Sequence, residues 1–99
     1  MAVSGQLGMA DGALVHGGVG AEVRQALANM AALLESEGAS LASVVKTTVF
    51  LTHISDYAPM NEAYMEAFGD HRPARAAVAV AGLPLNALVE IEAWAHLPQ

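Results

Sequence analysis

Val44-Val45-Lys46-Thr47-Thr48-Val49-Phe50-Leu51-Thr52 is rich in side chains branched at Cβ, which pack well on a pleated surface. The stretch reads as a strand. Ser55 and Asp56 follow it and offer caps to a helix over Tyr57–Phe68, where Met60, Tyr64 and Phe68 recur at four-residue spacing on one face and Gly69 ends the run. Ala74 to Ala81 then alternates small and β-branched residues, as a strand does. This strand–helix–strand run sets the class of fold, and the flanking segments extend it in both directions.

Upstream, Ala21 to Gly38 is the clearest helix. Val23, Ala26, Leu27, Met30, Leu33 and Leu34 fall three and four residues apart on one face, Glu22 sits in the first turn, and Gly38 is a natural stop. Ala2 to Leu7 reads as a short strand. The glycine-rich stretch from Gly8 to Gly20 reads as turn and loop, with a tight turn at Asp11-Gly12 and a brief strand at Ala13–Val15. Downstream, Leu83-Pro84 turns the chain into a last strand, Ala87–Ala95. Leu88, Glu90, Glu92 and Trp94 lie on one of its faces, and Val89, Ile91 and Ala93 on the other.

The order predicts an α+β domain. Its mixed sheet carries both helices on one face, with right-handed crossovers through the helices and an antiparallel hairpin for the final strand pair. The small residues and valines of Ala74–Ala81 leave the other sheet face flat and apolar, suited to packing against neighbouring subunits.

Composition points the same way. With 99 residues, the chain has room for one domain, spanning 1–99. A domain of this size buries only about 60–65% of the surface its unfolded chain exposes. Yet 55% of the residues are hydrophobic, 14% are charged, and the mean hydropathy is +0.40. That much apolar surface implies association with other chains. Lys46, Arg24, Arg72 and Arg75 are the only Lys or Arg residues, the formal net charge is −6 and the pI is about 4.9. No basic stripe exists for phosphate neutralisation or for an anionic membrane surface, so neither nucleic acid nor membrane is expected as a partner. There is no cysteine, and Met1–Gln6 lacks the basic and apolar regions of a signal peptide. A soluble, cytoplasmic protein is the expectation.

Few residues carry chemistry. Glu90 is a carboxylate within an apolar strand, which calls for solvent, a partner or a ligand. Arg75 follows Pro73 at a strand end. Its guanidinium matches a carboxylate bidentately, and a surface salt bridge to Asp70 is the plainer alternative. Asn61, taken alone, is a turn or capping residue. His16, His53, His71 and His96 are scattered without metal-ligand spacing, so no metal site is expected. Ser4-Gly5-Gln6 is not a nucleophile elbow, and Gly17–Gly20 is not a phosphate loop.

As an ordered set, however, these segments resemble the reactive intermediate deaminase family, also called RidA, YjgF or the endoribonuclease L-PSP family. The matching pieces are Val3–Gln6, Gln25–Asn29, Gly38–Leu41, Val44–Leu51, Met60–Tyr64, Phe68-Gly69, Pro73-Ala74-Arg75, Leu83-Pro84 and Val89–Ala93. The resemblance implies a trimer like that of chorismate mutase, with clefts between subunits. It implies hydrolysis of 2-imino or enamine acids, such as 2-aminoacrylate, to 2-keto acids and ammonia, with no metal or organic cofactor. Arg75 matches the arginine that binds the substrate carboxylate, and Glu90 the acid that positions water. Asn61 and Gly5 match positions near the ligand, and Ala77 falls where a backbone N–H approaches it. Ala77 stands where some deaminases have cysteine. The family pattern also carries a strand ahead of Ser-Gly-Gln, with a Gly-Pro-Tyr-like motif whose tyrosine lines the cleft; a domain lacking that strand and tyrosine is expected here. A non-catalytic module that binds or senses a small acid is one alternative, and an endoribonuclease or translation inhibitor is another.

Overall fold

In the computed structural model, which describes residues 1–98, the strand read at Val44 becomes β4, Val44–Leu51. It lies inside a four-stranded sheet. The other members are β1 (Ala2–Gln6), β5 (Ala74–Ala79) and β6 (Val89–Ala95), in the order β1-β6-β4-β5. A two-stranded ribbon, β2 (Met9–Ala10) and β3 (Ala13–Leu14), turns at Asp11-Gly12, where φ is 53° and 82°. Two successive positive φ values match the hand of a tight hairpin turn. The helices are α1, Val19–Ser36, and α2, Tyr57–Phe68.

The amphipathic pattern of α1 is realised in the core. Val23, Ala26, Leu27, Met30 and Leu34 are fully buried, while Leu33 lies at the rim of the stripe and is partly exposed. Gly38, at φ 77°, stops the helix as read: its N–H donates to Glu35 O, and Ala39 N–H donates to Leu34 O. These two bonds satisfy carbonyls that the helix end leaves without partners. α2 presents Met60, Tyr64 and Phe68 to the same core. Its entry differs from the expectation. Asp56 makes no capping bond through its side chain, and a short 3₁₀ turn over Ile54–Asp56 leads into the helix instead.

β4 and β5 are parallel neighbours joined through α2. β6 runs antiparallel to both β4 and β1. The expected hairpin between the last two strands therefore does not form, because β4 lies between them. Two local features explain this. Pro84–Asn86 forms a 3₁₀ turn in which Leu85 and Asn86 both have φ 59°, so the link is too long for a tight hairpin. The link then docks on the end of β4, where Thr52 Oγ1 donates to Ala87 O at 2.6 Å and Thr52 N–H donates to Leu88 O at 3.1 Å.

A bulge keeps β4 in phase. The pairing with β6 shifts between Val44 and Lys46, so Val44 and Thr47 are both buried although three residues apart. Thr47, Val49 and Leu51 face the helices with Ala93, Ile91 and Val89 beside them. By alternation, Thr48 and Phe50 turn to the opposite face with Glu90, Glu92, Ala76 and Val78. That face is mixed, with the carboxylates of Glu90 and Glu92 set among small and apolar side chains. Val45, Val78 and Trp94 are 56%, 43% and 57% exposed there, far above what a closed core leaves.

Candidate active site

Arg75 is the second residue of β5 and pairs in register with Thr47 of β4. That register turns its side chain toward α2. Nη1 donates to Asn61 Oδ1 at 2.7 Å, and Nη2 donates to the Tyr57 hydroxyl at 2.7 Å. Tyr57, Asn61 and Tyr64 are four and then three residues apart, the spacing that aligns side chains along one helix face. The ring of Tyr64 lies beside the guanidinium, with Arg75 Cζ 4.7 Å from its centroid, within cation–π range.

Tyr64 is itself fixed from below. Its hydroxyl and Thr47 Oγ1 are 2.7 Å apart, both buried. Burial pushes the phenol above its ordinary pKa of 10.0, outweighing the opposing effects of the Thr47 hydrogen bond and the charges of Arg75 and Arg72. Tyr64 is thus a neutral ring at physiological pH. Arg75 makes no ion pair among the described residues, so the alternative of a salt bridge to Asp70 is not what the structure contains; the one ion pair among them joins Arg24 and Glu66 at the surface. Of the five N–H groups of the guanidinium, two are held by α2 and three remain.

Ala77 lies two residues along β5 on the same face as Arg75. β5 is an edge strand, and Val80 N–H points inward to Leu51 O at 2.8 Å. Alternation along the strand therefore directs the Ala77 N–H outward, along the free edge beside Arg75. Asn61, read from sequence as a turn or cap, instead orients the guanidinium. Arg75, Asn61 and Ala77 form one group.

Glu90 and Gly5 form another, elsewhere. Glu90 is half-buried on the open face of β6, and Gly5 lies across from it where the β1–β6 register shifts. A Cβ at position 5 would overlap the Glu90 carboxylate, so only glycine leaves room for it. Strand spacing puts Glu90 two strands from Arg75, roughly 10 Å, and about 10 Å further along the strand direction. The two side chains also point to opposite faces of the sheet. One chain therefore does not bring Arg75 and Glu90 together.

Thr47, Tyr57 and Tyr64 escaped the reading of the sequence as site residues. Their signal was the polar tip on each, placed at one-face spacing on α2 and at the strand position paired with Arg75. Among the described residues, no group of three His, Asp or Glu side chains is positioned to hold a metal ion. His71 Nε2 lies 2.6 Å from Val44 O, which ties the loop after α2 to the start of β4.

An α+β sheet with two helices on one face and an arginine at a free edge that keeps three N–H groups makes a candidate site for a small acid, and comparison with known proteins supplies the family. The family model described as Endoribonuclease L-PSP matches residues 1–97, and the chain belongs to that family. It is 48% identical over 95 residues to the human 2-iminobutanoate/2-iminopropanoate deaminase, covering 94% of this chain and 69% of the relative. It is 48% identical over 85 residues to a RutC family protein of Pyrococcus horikoshii, covering 86% and 68%. Among solved structures, RidA from an Antarctic Psychrobacter superposes with TM-score 0.88 at 42% identity, covering 93% of this chain and 76% of that one. TdcF of E. coli with bound serine gives 0.90 at 34% identity, covering 99% and 80%. No helix among the described residues is long and apolar enough to cross a membrane.

Proposed function

We propose that the protein hydrolyses reactive 2-imino acids, including the imine tautomer of 2-aminoacrylate, to 2-keto acids and ammonia, at sites assembled between copies of the chain in a homotrimer. The observation that carries this reading is a carboxylate-shaped fork without a carboxylate. Arg75 is held by neutral partners on α2 and keeps three N–H groups for a ligand. The deaminase name of the human relative and the serine bound to TdcF support a small acid as that ligand.

The chemistry asks little more of the chain. Arg75 and the Ala77 N–H hold the acid, which fixes the adjacent C2 atom. Water adds to C2 of the C=N bond, and Glu90 takes a proton from it as the C–O bond forms. Glu90 returns that proton to the nitrogen, the remaining hydroxyl proton follows it there as the C–N bond breaks and the C=O bond forms, and ammonia leaves the 2-keto acid. One water is consumed and no electrons change hands, so the reaction calls for no redox cofactor.

Assembly between chains is supported by the separation of the two groups. Arg75 lies at the β5 edge on the helix side, and Glu90 on the open face that carries Val45, Val78 and Trp94. A neighbouring copy packed on that face is what unites an arginine with a glutamate. The reading takes RNA as no partner, because the net charge is −6 and one of the four Lys and Arg residues is committed to the fork. It places the enzyme in the cytoplasm, in keeping with the absence of cysteine from the sequence.

The test is decay of an imine generated in situ from 2-aminobutanoate by an amino-acid oxidase and followed by trapping. Wild type should accelerate loss of the trappable imine, and Arg75→Ala should abolish the acceleration. Equal behaviour of the two proteins, both folded, sinks the catalytic reading.

A further inference from the structure

Tyr57 belongs to none of the sequence motifs, yet its hydroxyl reaches the guanidinium of Arg75. We propose that the Tyr57 phenol donates a hydrogen bond to the substrate carboxylate, so that the acid is gripped by Arg75 and Tyr57 together. The proposal rests on the function proposed above and extends its binding site by one residue.

A guanidinium only donates, so in the 2.7 Å contact the phenol oxygen is the acceptor. The phenol proton is then directed elsewhere, and no described group accepts it. Tyr57 is 40% exposed at the first residue of α2, so the hydroxyl lies on the accessible side of the fork and not within the core. An oxygen bound to the free hydrogens of Arg75 sits next to that proton, because both would be anchored on the same guanidinium.

Tyr64 makes the contrast. It comes from the same helix and touches the same guanidinium, but its hydroxyl is already engaged with Thr47 in the core. Its contribution is the face of its ring. The chain's two tyrosines thus divide the work: Tyr64 supports the fork from the core, and Tyr57 faces the ligand with an unused donor. A donor beside a fixed cation also sharpens selection for an acid over its amide or ester, whose single carbonyl oxygen accepts less strongly.

The rival role for Tyr57 is passive: the phenol merely accepts from Arg75 and steadies it. Ring-fluorinated tyrosine placed at position 57 separates the two, because fluorination makes the phenol a better donor and a poorer acceptor. Affinity for 2-oxobutanoate is measured by calorimetry below neutral pH, alongside kcat and KM for the imine. Tyr57→Phe should weaken 2-oxobutanoate binding roughly tenfold, as loss of one hydrogen bond to a charged group does, and raise KM more than it lowers kcat. The fluorinated protein should bind as tightly as wild type or tighter. If fluorination weakens binding as phenylalanine does, the phenol is an acceptor only and the proposal is overturned. If Tyr57→Phe binds like wild type while the imine is still turned over, the proposal fails and the deaminase reading stands. If wild type neither binds the oxo acid nor turns over the imine, both fall.

Discussion

Two inactive variants, each carrying one half of the site, should make an active enzyme when mixed. Arg75→Ala removes the fork and Glu90→Gln removes the proposed base, and the two residues lie on opposite faces of one chain's sheet. In a trimer with sites between neighbours, a site draws its Arg75 from one chain and its Glu90 from the next. Equal amounts of the two variants, unfolded together and refolded, distribute at random. A working site then needs a Glu90→Gln chain on the Arg75 side and an Arg75→Ala chain on the Glu90 side. Each condition holds half the time, so about one site in four is intact and activity should return to roughly a quarter of wild type. The assay is imine decay per subunit, with native mass spectrometry to show that mixed oligomers are present. Mixed oligomers with no recovered activity would refute assembly between chains, since a site within one chain stays broken in every combination. Recovery well above a quarter would refute the one-to-one sharing of residues.

Three further outcomes follow from particular contacts. Gly5→Ala forces Glu90 to move, because the new methyl occupies the space of its carboxylate; kcat should fall at least tenfold while binding of 2-oxobutanoate, governed by Arg75, changes little, as steady-state kinetics and calorimetry would show. Trp94→Asp or Val78→Asp puts a charge on the bare sheet face and should convert the proposed trimer to monomer in analytical ultracentrifugation without loss of the circular dichroism spectrum, since both residues are already largely exposed in the single chain. Tyr64→Phe leaves the Thr47 hydroxyl buried without its partner and should cost about 1–3 kcal/mol in urea unfolding, whereas adding Thr47→Val should recover part of that loss. The same tyrosine gives a pH signature. Its folded pKa is raised above 10.0, so its contribution is intact below pH 10 and declines as the pH climbs from there toward the folded value, because the unfolded chain ionises first. Tyr64→Phe should flatten that alkaline decline.

Element boundaries were legible because they depend on local patterns. α2 spans Tyr57–Phe68 as the periodicity and Gly69 indicate, and β4 ends one residue from the reading. Strand order was less legible because it is decided by contacts between distant residues. Leu83-Pro84 looked like a hairpin turn, and nothing local announces that Thr52 will catch Ala87 and Leu88 and seat β6 on the far side of β4. Site residues were legible from the pattern only as types. Arg75 stood out as a fork at a strand end and Glu90 as a carboxylate in an apolar strand; their roles at a site came only with the family resemblance, and faces and register decide whether they meet. The bulge at Val44–Lys46 sets the phase of Thr47, and hence what lies beside Arg75, yet sequence gives no mark of it. Tyr57 and Thr47 stayed hidden for a related reason: a hydroxyl reads as function only once its partner is known.

The electrostatic position of Arg75 ties these strands together. A cation withdrawn from water needs compensation, which proteins usually supply with a carboxylate. Here ten Asp and Glu residues are available in the sequence, and Asp70 is only five positions away. The structure nevertheless surrounds Arg75 with an amide oxygen, a phenol oxygen and an aromatic face, all neutral. Those partners fix its direction while leaving its charge uncancelled. Had Asp70 paired with it, a ligand carboxylate would have had to displace a tethered competitor at high local concentration. Neutral partners avoid that competition, and with them a protein with a net charge of −6 would still draw in the proposed anionic substrate: the attraction is local, and solvent ions screen the repulsion beyond about 8 Å at physiological salt. The same reasoning accounts for placing Glu90 on the opposite face. A carboxylate on the helix side of the sheet would neutralise the fork in the isolated chain. Supplied by a neighbour in the proposed trimer, it would arrive with its position set by the interface and would approach C2 of the substrate without occupying the acid's place.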